Sequence, residues 1–429
     1  MQSLQTLMPG LAEIAGIVIL GGAFVQVTLG AFGSIRRRAL EGQRQRLALT
    51  LFEERARLDL IATRLERERR ELAWEGLRKF RIERKVAEAD EICSFYLVPH
   101  DRKPIPAFRP GQYLTFQLRI PGQGRPVTRC YSLSDSPAQR DYYRVTIKRL
   151  PPPPKVPTAP PGLVSSFFHS LPEGALVDVR APAGNFCLDL HASRPVVLIA
   201  GGVGLTPLVS MLNMICDADI RRETWFFYGV RNRRDHAMYE HLQRLAREHE
   251  NVRIVVCYSD PTPSCVAGED YAEKGFVCLD LFKRVLPSSN YEFYICGPPP
   301  MMSAITEALL KWGVPEADIH FEAFGPASVK RQADVIPEGE KERRKATRIT
   351  FARCGKTIEW AEKDGSILDL AQANGVAIDF GCRAGNCGTC ETAVREGKVK
   401  YLIETGFKPK DGSCLACVAI PDGAVVIDA

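Results

Sequence analysis

The hydrophobic and polar positions change period along the chain and divide it into segments. Residues 81–190 hold short alternating apolar runs broken by Gly and Pro, a pattern that predicts an antiparallel β-barrel. Residues 191–328 alternate apolar strands with helical patterns, which predicts a parallel α/β sheet. Residues 329–346 are polar and charged and predict a linker, and residues 347–429 begin with short strands and a helix. The pattern therefore predicts a multidomain protein with α/β and all-β parts.

An uncharged apolar segment lies at the start of the chain. Ile14 to Gly33 are twenty uncharged residues, which as a helix would cover about 30 Å, the thickness of a bilayer core. Arg36-Arg37-Arg38 follow at once, so the positive-inside rule places everything after residue 35 in the cytoplasm. Residues 1–34 are therefore predicted to be a single-pass anchor in a bacterial-type inner membrane. The alternative interpretation is a buried core helix.

Residues 35–80 are rich in Arg, Glu, Leu and Ala and contain no Pro, which predicts a long helical stalk. Leucines recur every seven residues, with one change of register, at positions 40, 47, 51, 58, 65 and 72. This pattern is typical of a coiled coil and would suit a homodimer. The alternative is an amphipathic stalk that packs on the protein's own domains or on anionic membrane lipid.

Charge and cysteine content add two expectations. The net charge of +6 arises in residues 34–85, where sixteen Lys and Arg face nine Asp and Glu, so the globular part is not expected to bind nucleic acid. The fourteen cysteines show no even, disulfide-like spacing, which favours a reducing compartment with free thiols.

Four cysteines of the last segment have the spacing of a plant-type 2Fe-2S site, with three in C-x4-C-x2-C and one distant. They are Cys382, Cys387, Cys390 and Cys417. Neighbouring glycines would let the backbone fold closely round a cluster. The alternative is a zinc site made from the two C-x-x-C pairs, which adds Cys414 but leaves Cys382 and the glycines unexplained. With a cluster, Cys414 becomes a buried apolar residue.

Further motifs lie in the two preceding segments. The barrel region contains Arg129-Cys-Tyr131-Ser132 and then Pro161-Gly162-Leu-Val-Ser165. The α/β region contains a strand that runs into Gly201-Gly202-Val-Gly204-Leu-Thr206, where glycines let a pyrophosphate approach a helix N-terminus. It also contains Cys296-Gly297-Pro298. Each motif is weak alone, but their order makes the combination specific.

Together these motifs resemble the ferredoxin–NADP reductase superfamily over residues 81–429. The domain order resembles that of phthalate dioxygenase reductase and the reductase of phenylacetyl-CoA epoxygenase, which implies a β-grasp fold for the ferredoxin domain. The resemblance implies that Arg129 pairs with flavin phosphate, that Tyr131 packs beside the isoalloxazine and that Ser132 acts near N5. Gly162 and Ser165 would contact the pyrophosphate. FAD is favoured over FMN because Pro-Gly-Leu-Val-Ser resembles the reductase half of flavohaemoglobins.

The resemblance also implies roles in the nicotinamide domain. Cys296 would position the nicotinamide for catalysis, and Phe324 would cover the flavin ring, with Glu322 near the nicotinamide. The remaining contacts to the dinucleotide would come from Gly202, Gly204, Thr206, Gly297 and Pro298. No acidic residue follows the second strand, so Arg231 or Arg233 is interpreted as a contact for a 2′-phosphate, which favours NADPH over NADH.

The predicted protein is an enzyme, an NAD(P)H-dependent reductase that is anchored in the membrane. The nicotinamide would transfer a hydride to the flavin, which would reduce the cluster by single electrons. The acceptor is expected to be a membrane-associated oxygenase or hydroxylase. The alternatives are a respiratory-type dehydrogenase component that feeds quinone or a membrane complex, and a redox sensor.

Overall fold

The structure, a computed structural model, describes residues 7–152, 158, 160–192, 194–324, 347–383, 385, 387–402, 405 and 407–429. The side chains of residues 7–15, 17, 19, 23, 25, 27, 33, 35 and 363 are outside this description. The chain divides into two units, Met1–Arg64 and Leu65–Ala429, which are treated separately. The predicted linker at 329–346 lies outside the described residues.

The described part of the first unit belongs to one helix, α1 (Leu7–Leu72), which continues into the second unit. Within the described residues, no helix combines the length and hydropathy needed to cross a membrane. The predicted anchor at Ile14–Gly33 is therefore not supported. Gln26 and Thr28 lower the hydropathy of this stretch, and eight of its twenty side chains lie outside the description.

Helix α1 ends at Leu72, before the end of the predicted stalk at residue 80. Strand β1 (Arg78–Ala89) starts inside that stalk segment, and Gly76 turns the chain with a φ of 71°. The Trp74 indole nitrogen donates a hydrogen bond of 3.2 Å to the Val179 carbonyl, and its ring packs against Phe80. These contacts fasten the start of β1 to the sheet that follows.

An antiparallel six-stranded sheet forms the first domain, as the alternating pattern predicted. Its strands, in the order β4-β3-β6-β1-β2-β5, are β1, β2 (Ile92–Pro99), β3 (Tyr113–Leu118), β4 (Val127–Ser132), β5 (Tyr143–Lys148) and β6 (Leu176–Ala183). A bridge between Leu133 and Val145 joins the two edges and brings the sheet close to a barrel. Helix α2 (Leu163–Ser170) packs Phe168 into the core.

A parallel six-stranded sheet forms the second domain. Its strands, in the order β10-β9-β8-β7-β11-β12, are β7 (Val196–Gly201), β8 (Thr224–Val230), β9 (Val252–Tyr258), β10 (Glu273–Lys274), β11 (Glu292–Cys296) and β12 (Ile319–Glu322). The crossovers carry helices α3 (Leu205–Asp217), α4 (Tyr239–Glu248), α5 (Leu279–Val285) and α6 (Pro299–Lys311). Strand β7 is buried throughout, as expected for the centre of a sheet covered on both faces.

The described part of the third domain contains a mixed five-stranded sheet, a separate two-stranded sheet and one α-helix. Its elements are β13 (Thr347–Phe351), β14 (Lys356–Trp360), α7 (Ile367–Ala373), β15 (Glu391–Glu396), β16 (Val399–Tyr401), β17 (Ser413–Leu415), β18 (Ala419–Pro421) and β19 (Val425–Ile427). Strands β13 and β19 are parallel, whereas β15 pairs antiparallel with β19. Ser366 caps α7 by accepting a hydrogen bond from the Asp369 amide. The predicted α/β and all-β domains are confirmed, whereas the predicted transmembrane helix is not supported.

Candidate functional site

The four predicted cluster cysteines lie in two adjacent pairs. The Cys390 and Cys417 sulfurs are 3.1 Å apart, and the Cys382 amide lies 3.3 Å from the Cys387 sulfur. Among the described residues, no three His, Cys, Asp or Glu side chains form a metal-binding group around one point. Two pairs fit a 2Fe-2S cluster, because each iron then takes two protein thiolates.

The backbone around these thiols leaves little room for side chains. A Cβ on Gly388, which has a φ of 70°, would lie 2.6 Å from the Phe407 ring, so the chain can pass here only as glycine. Cys414 is fully buried, and burial raises the pKa of its thiol to about 12. A buried thiol of this kind suits the predicted apolar role of Cys414.

Strand β4 carries the three predicted flavin residues. Tyr131 packs edge-on against Phe116 and Phe168, and burial raises the pKa of its hydroxyl. Arg129 is half-buried and donates to the Thr128 carbonyl at 2.7 Å, and burial lowers the pKa of its guanidinium. The strand therefore holds a buried positive charge in the barrel domain, as a phosphate contact requires.

The predicted pyrophosphate contacts lie at the start of α2. Gly162 precedes the helix, and the Ser165 hydroxyl donates to the Gly162 carbonyl at 3.1 Å. The same hydroxyl accepts a hydrogen bond from the Leu150 amide at 3.2 Å. Ser165 therefore shapes this turn through internal hydrogen bonds, and the helix N-terminus remains the group suited to an anion.

The glycine-rich turn of the second domain lies between β7 and α3. Gly202 and Gly204 form a short 3₁₀ turn, and the Thr206 hydroxyl donates to the Val203 carbonyl at 3.2 Å. A Cβ on Gly204 would lie 2.3 Å from the Cys296 carbonyl oxygen. The turn therefore packs directly against the segment Cys296-Gly297-Pro298, which brings the two predicted nucleotide motifs together.

Ser132, Cys296 and Glu322 come from different strands of the two domains but lie near one another. Cys296 and Glu322 are paired neighbours on β11 and β12, and the Ser132 side chain lies near the Glu322 carboxyl. Burial, and secondarily the nearby Cys382, raises the pKa of Glu322 to about 8. Burial also raises the pKa of the Cys296 thiol well above its ordinary value, which favours a positioning role over a nucleophilic one.

Three predicted site residues are more exposed to solvent. Phe324 is 39% exposed, and the description of this segment ends there. The Arg231 side chain is 66% exposed and lies 3.6 Å from Asp235, whereas Arg233 lies over the Tyr239 ring. Both arginines follow β8, at the carboxyl edge of the sheet, where an adenosine ribose would bind.

The third domain contacts the barrel domain through the cysteine loop, the segment at residues 379–390 that carries Cys382, Cys387 and Cys390. The Arg129 guanidinium lies 5.2 Å from the centre of the Phe380 ring, and Arg125 lies 3.3 Å from Asp379. A Cβ on Gly381 would lie 3.0 Å from the Cys387 sulfur and 3.3 Å from the Thr128 side chain of β4. The cysteine loop is thus placed directly beside the strand that carries the predicted flavin residues.

Sequence reasoning missed three residues that the structure brings to this region. Tyr113 is buried, and its hydroxyl has no hydrogen-bond partner among the described residues. Phe380 packs against Arg129, the neighbour of Cys130 on β4, only because two separate domains touch. Tyr113 ends the motif Pro-Gly-Gln-Tyr, which was a usable signal, whereas nothing in the sequence links Cys130 to Phe380.

Comparison with known proteins identifies each domain. Sequence models of three families match the chain in order: the oxidoreductase FAD-binding domain at residues 80–187, the oxidoreductase NAD-binding domain at 198–307 and the 2Fe-2S iron-sulfur cluster binding domain at 351–422. These matches define an oxidoreductase that uses FAD, a nicotinamide dinucleotide and a 2Fe-2S cluster.

Individual relatives agree with this class. A flavohemoprotein from Halalkalibacterium halodurans is 41% identical over 255 residues, which is 59% of this chain and 61% of the relative. The flavohem-like FAD/NAD-binding domain of nitric oxide dioxygenase from Vibrio cholerae is 31% identical, with a TM-score of 0.52, over 58% of this chain and 99% of that domain. The chain belongs to the ferredoxin–NADP reductase superfamily.

A third comparison concerns the whole domain order. Phthalate dioxygenase reductase covers 83% of this chain and 98% of its own, at 24% identity and a TM-score of 0.50, and therefore shares the fold. The chain spans only about three fifths of the length of the flavohemoproteins it matches.

Proposed function

We propose that the protein passes electrons from NADPH through FAD to its 2Fe-2S cluster and on to a protein acceptor of the oxygenase or hydroxylase type. A bound flavin, which Arg129, Tyr131 and Ser132 would hold, would supply the change from two-electron transfer at the dinucleotide to one-electron transfer at the cluster. The observation that carries this proposal is the contact between the cysteine loop and β4. Because Phe380 packs against Arg129 and Gly381 lies beside both Thr128 and the Cys387 sulfur, the cluster site and the flavin site are neighbours in this arrangement of the domains.

The protein's own residues prepare each transfer. Gly204 lets the head of α3 approach Cys296, so that a dinucleotide bound there is directed toward Ser132 and Glu322. Burial of Ser132 and Cys296 excludes water from the region between the two domains. Phe380, against Arg129, and Gly381, against Thr128, bring the cluster thiols beside the barrel strand.

The dinucleotide preference rests on the arginines after β8. Arg231 is exposed and only loosely paired with Asp235, whereas Arg234 is bound to Asp90 at 2.6 Å. Arg231 is therefore the side chain available to a 2′-phosphate.

Arg231→Ala should lower kcat/KM for NADPH about tenfold and leave kcat/KM for NADH unaffected, whereas Arg234→Ala should not change the ratio of the two values. Equal effects on both dinucleotides would exclude this assignment.

The acceptor is proposed from two supports. The chain shares its fold and domain order with phthalate dioxygenase reductase, which is described as a modular structure for electron transfer from pyridine nucleotides to [2Fe-2S]. In addition, none of the described site residues forms a substrate-oxidising centre outside the redox sites described above. The terminal reaction is therefore assigned to another protein.

The experiment uses the purified full-length chain under anaerobic conditions. NADPH should bleach the flavin absorbance and produce the electron paramagnetic resonance signal of a reduced 2Fe-2S cluster. Cytochrome c and ferricyanide serve as one-electron acceptors. Reduction of the flavin without reduction of the cluster would overturn the proposed order of transfer.

The location at an inner membrane stays a prediction. Cell fractionation of the full chain and of a chain that begins at residue 36 would test it, and an identical distribution of both would contradict it.

A further inference from the structure

Helix α3 buries two polar side chains in its middle. Every residue from Leu205 to Cys216 is buried, including Ser210 and Asn213, which are three positions apart and therefore lie on one face. A buried hydroxyl or amide without a hydrogen bond destabilises the fold, because the loss of its hydration is not compensated. The partners of these two side chains therefore decide where the helix packs.

Both partners belong to one residue of the other domain, Asp135. The Ser210 hydroxyl donates to the Asp135 main-chain carbonyl at 2.7 Å, and the Asn213 amide donates to the Asp135 carboxylate at 3.4 Å. His241 accepts from Arg244 and donates to the Asn213 oxygen at 2.7 Å, which directs the Asn213 amide nitrogen toward Asp135. His241 and Arg244 thus fix the orientation of the Asn213 amide that contacts Asp135.

Asp135 is equally well held within its own domain. Its second carboxylate oxygen accepts a hydrogen bond of 3.1 Å from the Tyr142 hydroxyl and lies 3.5 Å from the buried Arg144. Arg144 in turn donates to the Ser134 carbonyl. Asp135 follows Ser132 by three residues, so this network extends directly from the end of β4.

Other contacts also join the domains. Arg234 pairs with Asp90 at the surface and its main-chain carbonyl accepts a hydrogen bond from the Asp90 amide, and Lys148 lies 3.2 Å from Asp235. Exposed ion pairs contribute little to stability because solvent screens them, whereas loss of a hydrogen bond from a buried amide leaves that amide unpaired. The Asp135 contact is therefore the stronger constraint on the position of α3.

We propose that Asp135 is a positioning residue that sets the distance between the flavin strand β4 and the nucleotide turn Gly201–Gly204 at the head of α3. The inference rests on the proposed function, because that distance matters only if a hydride passes between the two domains. Such transfer needs reacting atoms about 3–3.5 Å apart, and a displacement of about 1 Å costs about 100-fold in rate.

Rapid-mixing kinetics with NADPH would test the role. Asp135→Ala should slow flavin reduction about 10- to 100-fold with little change in the apparent Kd of NADPH, and deuterium at the nicotinamide C4 should give a larger isotope effect. Asp135→Asn keeps an acceptor for Asn213 and should restore most of the rate. Asp141→Ala, at an exposed position on the same hairpin, is the control and should behave like wild type.

A second measurement needs no turnover. Hydrogen exchange of the α3 amides should speed up at least tenfold in Asp135→Ala and in Asn213→Ala, which removes the same hydrogen bond from the helix side. Faster exchange with an unchanged rate of flavin reduction would overturn the positioning role, as would unchanged exchange. If NADPH fails to reduce wild-type flavin, the proposed function is wrong, and exchange still decides whether Asp135 holds α3.

Discussion

At the scale of single residues, Cys414 and Cys417 provide a matched pair. Both are buried, but only Cys417 lies beside Cys390, at 3.1 Å. Cys417→Ser should reduce bound iron from about two atoms per chain to near zero and leave the flavin content unchanged, because a cluster needs four thiolates. Iron analysis measures the bound iron, and visible absorbance measures the flavin content.

Cys414→Ser is the control and should retain the iron. Loss of metal from both variants, with zinc in the wild type, would instead support the zinc site made from the two C-x-x-C pairs.

His236 gives a prediction about pH. Burial lowers its pKa to about 3, and the neutral ring contacts the Tyr258 hydroxyl at 2.8 Å. The unfolded chain binds a proton at this position below about pH 6.5 while the folded chain does not, so stability falls as the pH drops from 6.5 toward 3. Between pH 7 and 5 this group should cost about 2 kcal/mol, since each pKa unit is worth about 1.4 kcal/mol.

Calorimetry of the nicotinamide-domain transition checks this prediction. His236→Phe should lose the part of the pH dependence that arises from this ring, whereas His100→Phe, at an exposed position, should retain the wild-type slope. The same slope in wild type and His236→Phe would contradict the assignment.

Whether a residue's role could be predicted from the sequence depends on how far along the chain its contacts lie. The cluster cysteines were found from spacing because three of them lie within one loop, which must present its thiols together. Asp135 was missed because its function depends on Ser210 and Asn213, far along the chain. A carboxylate after a strand has no sequence signature until the facing helix is known.

At the scale of elements, the junction of β7 and α3 depends on Gly204. A Cβ there would lie 2.3 Å from the backbone oxygen of Cys296, which cannot rotate away as a side chain would. Gly204→Ala should therefore displace the turn, weaken dinucleotide binding at least about tenfold and destabilise the domain by about 1–3 kcal/mol. Equilibrium binding of NADP⁺ measures the first effect.

Gly124→Ala, where a Cβ would meet nothing within 4 Å, is the matched control. Unchanged NADP⁺ affinity in Gly204→Ala would show that the turn is not the pyrophosphate contact.

The types of the elements followed from hydrophobic period, but one boundary did not. In the sequence, the barrel strands alternate apolar and polar residues, whereas the central strands of the parallel sheet are uniformly apolar. Each pattern therefore indicates one type of element. Residues 73–80 contain no Pro and continue the composition of the helix before them, which extended the predicted stalk too far. Pairing of Arg78–Arg81 with β6 makes this segment a strand, and that pairing involves residues almost a hundred positions away.

At the scale of the whole molecule, the order of the domains was readable but their contact was not. Motif order alone predicts that electrons enter at the nicotinamide and leave through the cluster. The meeting of Phe380 with Arg129 depends on how two separately folded surfaces fit. The sequence already accounted for each residue locally, for Phe380 as part of the cysteine loop and for Arg129 as a phosphate contact.

That contact leads to a prediction about electron transfer between domains. Phe380→Ala removes the ring beneath the Arg129 guanidinium and loosens the cysteine loop on β4, since such cation–π contacts contribute about 0.5–2 kcal/mol. Cluster reduction by NADPH should slow about 3- to 30-fold, while ferricyanide reduction at the flavin stays near wild type. Phe276→Ala, which removes an 80% exposed ring from the nicotinamide domain, controls for the loss of a surface aromatic. If Phe380→Ala slows ferricyanide and cluster reduction equally, Phe380 supports the flavin site itself, and the route from β4 to the cysteine loop must be assigned to other residues.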